Sequence, residues 1–289
     1  MKRYLFSSRR TGHIENMRRQ RVKYPEVAKK IVDTSDIILE VLDARFPEET
    51  RNKKLEDEIT KQKKKIIYVL NKSDLLKKKN LDEIKGSLYP YALISCTKKT
   101  GIKDLRNLIK IVAKKVENPE KREIKKDRVI LGDDKRIKVG AIGYPNTGKS
   151  SLLNLLARRG AAGVGPIAGF TKNVQKIKLT PDIVLIDSPG VIPEDQYSTI
   201  DKKKISESTI FGGKSYTQVN DPEIVINEMF LKYKEVLERY YKVEAKDSDE
   251  LIEKVGQMKN LFLKGGIVNV DQTSREILKD WQLGKIKVQ

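Results

Sequence analysis

The chain has 289 residues and carries 60 Lys and Arg against 40 Asp and Glu, a formal net charge of +20. That length holds one large core, or a core with a smaller companion, and no run of 18 apolar residues is present to span a membrane. Its single cysteine, Cys96, excludes an internal disulfide and fits a reducing compartment, while a lone histidine, His13, argues against a His-rich metal site or a Ser-His-Asp triad.

Residues 1–30 form a basic arm with 10 basic and 2 acidic side chains. The first ten lack the apolar core of a secretory signal, so the expected location is the cytoplasm; their Arg and Ser content leaves an organellar transit peptide as the alternative. Residues 35–43 (SDIILEVLD) read as a buried strand, closed by a turn at 44–47, and a helix is expected over 51–62. A second buried strand at 65–70 (KIIYVL) runs directly into Asn71-Lys72-Ser73-Asp74. A Lys-rich helix follows near 79–88, then a short strand at 92–94 ending in Ser95-Cys96-Thr97. Residues 101–116 place Ile102, Leu105, Leu108, Ile109 and Val112 on one helical face. The charged stretch 117–136 reads as a linker.

The apolar run 137–142 leads into Gly143-Tyr144-Pro145-Asn146-Thr147-Gly148-Lys149-Ser150 and a helix over 151–156. A Gly-rich stretch at 160–169 reads as mobile; strands are expected at 173–179 and 183–186, the second ending in Asp187-Ser188-Pro189-Gly190. Alternating strands and helices over 31–220 predict an α/β unit, a mostly parallel sheet flanked by helices. From residue 221 the pattern is helical only, a small all-α C-terminal domain over 221–289. Its helices start at an Asp221-Pro222-Glu223 cap, at Ser248 and at Thr273, and its aromatic stripe reads as core rather than as a base-stacking surface. Residues 221–289 carry 12 basic and 13 acidic side chains, so the positive excess lies in 1–220 and points to a polyanion, RNA above all.

Strand, Gly-rich loop and helix in succession are the context of a phosphate-binding loop, a Gly-rich turn that fits by chance being the alternative. Gly143 and Gly148 let successive N–H groups turn inward with a helix N-terminus behind them. Lys149 reaches the β- and γ-phosphates, the Ser150 hydroxyl can ligate Mg²⁺, and Thr147 and Ser151 complete the loop's contacts. Asp187 can hold a water of the Mg²⁺ shell, and the Gly190 N–H can meet the γ-phosphate. Thr171, within Gly169-Phe170-Thr171-Lys172, is the candidate for Mg²⁺ and γ-phosphate sensing. In Asn71-Lys72-Ser73-Asp74, Asp74 can accept from the two adjacent donors of guanine, which adenine lacks, and Lys72 can lay its stem across the base. Ser95, Cys96 or Thr97 can offer a backbone N–H to the guanine O6. A merely polar loop is the alternative for this second motif.

The motif order is reversed relative to ordinary GTPases: the guanine-reading segments precede the phosphate loop. With Asp43-Ala44-Arg45 and Pro47, Asn71–Asp74, Gly143–Ser150, Gly169, Thr171-Lys172, Asp187–Gly190 and the tail Ile277–Ile286, the chain resembles the circularly permuted GTPases related to YlqF, nucleostemin among them. The resemblance implies a P-loop GTPase fold, GTP or GDP with Mg²⁺ as ligands, rRNA and a ribosomal subunit (the large one) as partners, and a role in ribosome assembly. It also implies that Asn146 matches the residue that helps hold K⁺ in potassium-activated relatives. Cys96 stands where that family usually has Ala, and the helical part lacks the expected positive charge.

Where small GTPases place a water-orienting Gln, this chain has Val191 and then Ile192. Turnover is therefore expected to be slow, on the order of 10⁻⁴ to 10⁻² per second without a partner, the ribosomal particle being the expected activator. Because 191–220 leads into the helical part, loss of the γ-phosphate could swing that part directly. The expected state is a monomer. Two other readings remain: a nucleotide-dependent scaffold with negligible hydrolysis, and a GTPase acting on an acidic protein partner.

Overall fold

The structure, a computed structural model, describes residues 28–76, 88–116, 136–157, 164–166, 175–186 and 202–288. The basic arm, the helix expected near 79–88 and the linker at 117–136 lie wholly or mostly outside these residues, as does the Asp187–Gly190 segment.

Among the described residues seven strands form one sheet: β1 (Ile37–Asp43), β2 (Lys65–Asn71), β3 (Tyr91–Leu93), β4 (Ile137–Gly143), β5 (Val164–Pro166), β6 (Gln175–Thr180) and β7 (Ile183–Ile186). Their order is β3-β2-β1-β4-β7-β6-β5. The first five run parallel, and β6 and β5 add an antiparallel edge. The sheet is thus mostly parallel, as its alternating sequence predicts. β5 falls inside the Gly-rich stretch, where three residues of Val-Gly-Pro carry no periodicity to betray a strand.

Strand β1 is buried along its whole length because helices cover both faces. Ile37, Leu39 and Val41 pack with Leu105 and Ile109 of α3 (Ile102–Lys114) and Leu152, Leu153 and Leu156 of α4 (Lys149–Ala157). Ile38 faces the other way, against Ile31 and Val32 of a helical segment at 28–34 and Ile59 of α2 (Lys53–Lys61). The helix expected over 51–62 is α2; a separate short helix, α1 (Pro47–Thr50), precedes it and stops at Arg51, and the Asn52 side chain caps α2 by accepting from the Leu55 N–H.

The C-terminal helices are α5 (Lys202–Ile210), α6 (Pro222–Tyr241), α7 (Ser248–Met258) and α8 (Val270–Gln282). Two caps differ from expectation by a residue or more. Asp247, not Ser248, caps α7 by accepting from the Glu250 N–H; Asn269 caps α8 through the Gln272 N–H, so α8 begins before Thr273. Their shared core holds Met229, Leu237, Leu251, Val255, Ile277 and Trp281. Ile210 and Val219 join it, as does Phe46 from the turn after β1. Trp281 is fully buried, donates Nε1–H to the Ile210 carbonyl at 3.0 Å and stacks on Phe46 with ring centroids 5.7 Å apart. The aromatic stripe is core, as its helical spacing predicts, except that Tyr240 is partly exposed.

Candidate nucleotide-binding site

The chain leaves β1 toward β2 and leaves β4 toward β7, so strand order reverses between these two neighbours. Open α/β sheets bind ligands in the crevice at the carboxyl ends of the strands at such a point. The register brings those ends together: Asp43 pairs with Asn71, Val41 with Gly143, Gly140 with Ile186 and Leu70 with Leu93.

The phosphate loop spans from the end of β4 to the first turn of α4. Gly148 has φ +92°, and a Cβ there would sit 2.1 Å from Asn71 Nδ2. Only glycine satisfies both demands. Thr147 Oγ1 donates to the Tyr144 carbonyl at 2.9 Å, closing the loop on itself. Lys149 is buried at the start of α4, and Ser150 and Ser151 are exposed in its first turn. Asn146 is exposed, has φ +61° and donates Nδ2–H to the Gly212 carbonyl at 2.9 Å. This bond points the amide oxygen, the end that could ligate a cation, away from Gly212.

Asn71 joins the guanine-reading segment to this loop. Its Nδ2 donates to the Thr147 carbonyl at 2.7 Å across 76 positions of sequence, and its Oδ1 accepts from the Cys96 N–H at 3.1 Å. Three motifs therefore meet on one side chain. Lys72 adopts a left-handed conformation, φ +63°, and its Nζ lies 2.8 Å from Asp43 Oδ2. Asp74 is exposed within a 3₁₀ turn, Ser73–Leu75. The Ser95 N–H is bonded to the Thr100 carbonyl and the Cys96 N–H to Asn71. Of the trio, Thr97 alone has no backbone N–H bond among the described residues. Burial pushes the Cys96 thiol up to about 11 despite its bond to Asn71, so it stays neutral and packs against the core as a small apolar group. The departure from Ala at this position is chemically mild.

Asp43 and Arg45 matter more than the sequence suggests. The Asp43 carboxylate accepts from Arg45 Nε at 3.0 Å, Arg45 Nη2 at 2.8 Å and Lys72 Nζ at 2.8 Å. Arg45 also donates Nη1–H to the Trp281 carbonyl at 3.0 Å, 236 positions away. Burial would raise the Asp43 pKa, but the charges of Arg45 and Lys72 prevail and hold it at about 2. The local signals are that the carboxylate ends a buried strand and that Arg45 follows two residues later; its other partner, Lys72, follows from strand pairing.

Thr171, Asp187 and Gly190 lie outside the described residues. Ile186, which precedes Asp187 directly, ends β7 beside β4. Among the described residues no group of three His, Cys, Asp or Glu could hold a metal. The hydroxyl of Ser150 beside the helix N-terminus suits a phosphate-bound Mg²⁺, which needs few protein ligands.

Residues 138–252 match the family described as 50S ribosome-binding GTPase. A GTP-binding protein of Methanocaldococcus jannaschii is 34% identical over 93% of this chain and 68% of its own length. The chain belongs to the circularly permuted GTPases related to YlqF. Nucleolar GTP-binding protein 2 of Saccharomyces cerevisiae is 36% identical over 89% of this chain, which spans 51% of that protein's length. The fold is shared with a GNP-bound crystal structure of YlqF from T. maritima, at TM-score 0.59 and 20% identity over 92% of this chain and 96% of that one. As a GTPase of this family the protein takes GTP and GDP with Mg²⁺. The permutation leaves the site itself intact, because Asn71 reaches Thr147 whichever motif comes first along the chain.

Proposed function

We propose that this protein is a guanine-nucleotide switch that binds rRNA and acts on the ribosomal large subunit during its assembly. The single observation that carries the nucleotide half is the Asn71 side chain, bonded at once to the phosphate loop and to the loop of Cys96. Asp74 reads the guanine edge, Lys72 covers the base, and Thr97 offers its N–H toward O6. Gly148 and the loop amides around Asn146 and Thr147 cradle the phosphates, and Lys149 neutralises β- and γ-phosphate charge. Ser150, Thr171 and, through water, Asp187 would hold Mg²⁺, which would supply positive charge against the phosphates. The Gly190 N–H senses the γ-phosphate. The ribosomal half is supported by the names of the relatives, by the matched family description and by the positive excess in residues 1–220.

Hydrolysis is slow alone, because Val191 stands where a Gln would orient water, and Asn146 Oδ1 recruits K⁺ to the phosphates. Val191 equally favours a second reading, a nucleotide-gated scaffold with negligible turnover. Co-sedimentation with large ribosomal subunits under GDP and under a non-hydrolysable GTP analogue tests the switch. The analogue should enrich the protein on the particle; equal recovery in both states would overturn it. Single-turnover hydrolysis with and without the particle, in KCl and in NaCl, separates the two readings and tests K⁺, which equal rates in both salts would remove.

A further inference from the structure

Among the described residues three contacts tie the nucleotide loops to the helical part. Arg45 donates to the carbonyl of Trp281, in the last turn of α8, while gripping Asp43, which grips Lys72. Gly284, just past α8 with φ +74°, lies so close to the guanine-reading loop that a Cβ would sit 2.3 Å from Leu75 Cδ1. Asn146 of the phosphate loop bonds the Gly212 carbonyl, in the turn after α5.

Two of these contacts converge on the segment Lys72–Leu75, from the base side and from the turn side. From them we infer that Asp43 is a positioning residue for Lys72, and that the docked end of α8, through Arg45 and Gly284, sets the guanine-reading loop. Lys72 needs its stem extended across the base, and a flexible ammonium left in water would not hold that pose. Anchoring Nζ on a buried carboxylate does so, and Arg45 fixes the carboxylate with a planar fork of Nε–H and Nη2–H while its Nη1–H goes to the Trp281 carbonyl. The side chains of Arg45 and Asp43 are each only 4% exposed, so water does not substitute for either partner. Linkage then runs both ways: guanine nucleotide should tighten the contacts at the end of α8, and loss of those contacts should loosen the nucleotide.

This inference rests on the guanine-binding reading, and the experiment separates the two. In the full chain, GDP, IDP and ADP affinities and GDP dissociation rates are measured for wild type, Asp43→Asn and Arg45→Lys, with thermal melts alongside. IDP lacks the exocyclic amine that Asp74 would accept. Wild type that fails to distinguish GDP from ADP defeats the guanine reading itself. If wild type does distinguish them, both variants should release GDP faster by about tenfold, inside the usual range for coupled sites, and should lose part of the GDP-over-IDP preference. A lesion that only weakens the fold would lower both affinities alike. Unchanged rates and preference in folded variants overturn the positioning role. Should either variant fail to fold, hydrogen exchange on wild type decides. GDP should slow exchange at residues 282–286, and identical exchange with and without GDP overturns the coupling.

Discussion

At the scale of single residues, two carboxylates on β1 show how burial alone decides nothing. Glu40 and Asp43 are both inside the protein. Asp43 faces two cations and is held at about 2. Glu40 faces the carboxylate of Glu56, and burial first, then that charge, pushes it up to about 8 against the Asn52 N–H and Arg51. The signs oppose. Asp43 lends stability above its ordinary unfolded pKa of about 3.9, and that contribution fades as pH falls toward 2. Glu40 holds a proton when folded that the unfolded chain gives up, so its contribution declines as pH rises from about 4.5 to 8. Glu40→Gln should therefore leave stability near pH 5 little changed and raise it near pH 9 by on the order of 1 kcal/mol or more. Urea unfolding at both pH values checks this, and a gain equal at both would refute the assignment. Gly148→Ala sets a methyl group against Asn71 at a positive φ. It should cost about 1–3 kcal/mol and weaken GDP at least about tenfold, read by unfolding and calorimetry; unaltered GDP affinity would remove Asn71 from the site.

At the scale of elements, the strands with continuous apolar runs were legible because both their faces are covered. β1, β2, β4 and β7 all announce themselves this way. The helix α5 did not. Three lysines open it and its apolar residues lack a clear period, yet Ile210 at its end is buried beneath the C-terminal core. Caps were legible in kind but not in place, since Ser, Asp and Asn can all accept from the first turn and neighbours compete. Asn269 is such a case, four residues ahead of the expected start of α8. Asn269→Ala should lower stability by about 1 kcal/mol, and a thermal melt indistinguishable from wild type would deny it the capping role.

For the whole molecule, the charge and the helices divide the labour. Residues 221–289 are nearly neutral, and the positive excess lies in the first 220. The proposed rRNA contact should then depend on residues 1–220. The binding constant should fall steeply with salt, with a log–log slope near −4 if about five phosphates are neutralised. A slope shallower than about −1 would point to a protein partner instead. The helical part, by contrast, meets the nucleotide loops through a few partly buried polar contacts: Arg45 with Trp281 and Asn146 with Gly212.

The sequence by itself determined the mostly parallel sheet and the reversed order of the proposed phosphate-binding and guanine-reading motifs, because strand burial and turn chemistry are written in neighbouring residues. Only the tertiary structure decided that Asn71 bridges to Thr147, that Asp43 holds Lys72, and that Arg45 ties both to the last helix. Those pairings join positions up to 236 apart. They depend on strand order and register and on where the last helix docks, which no local pattern of residues can encode.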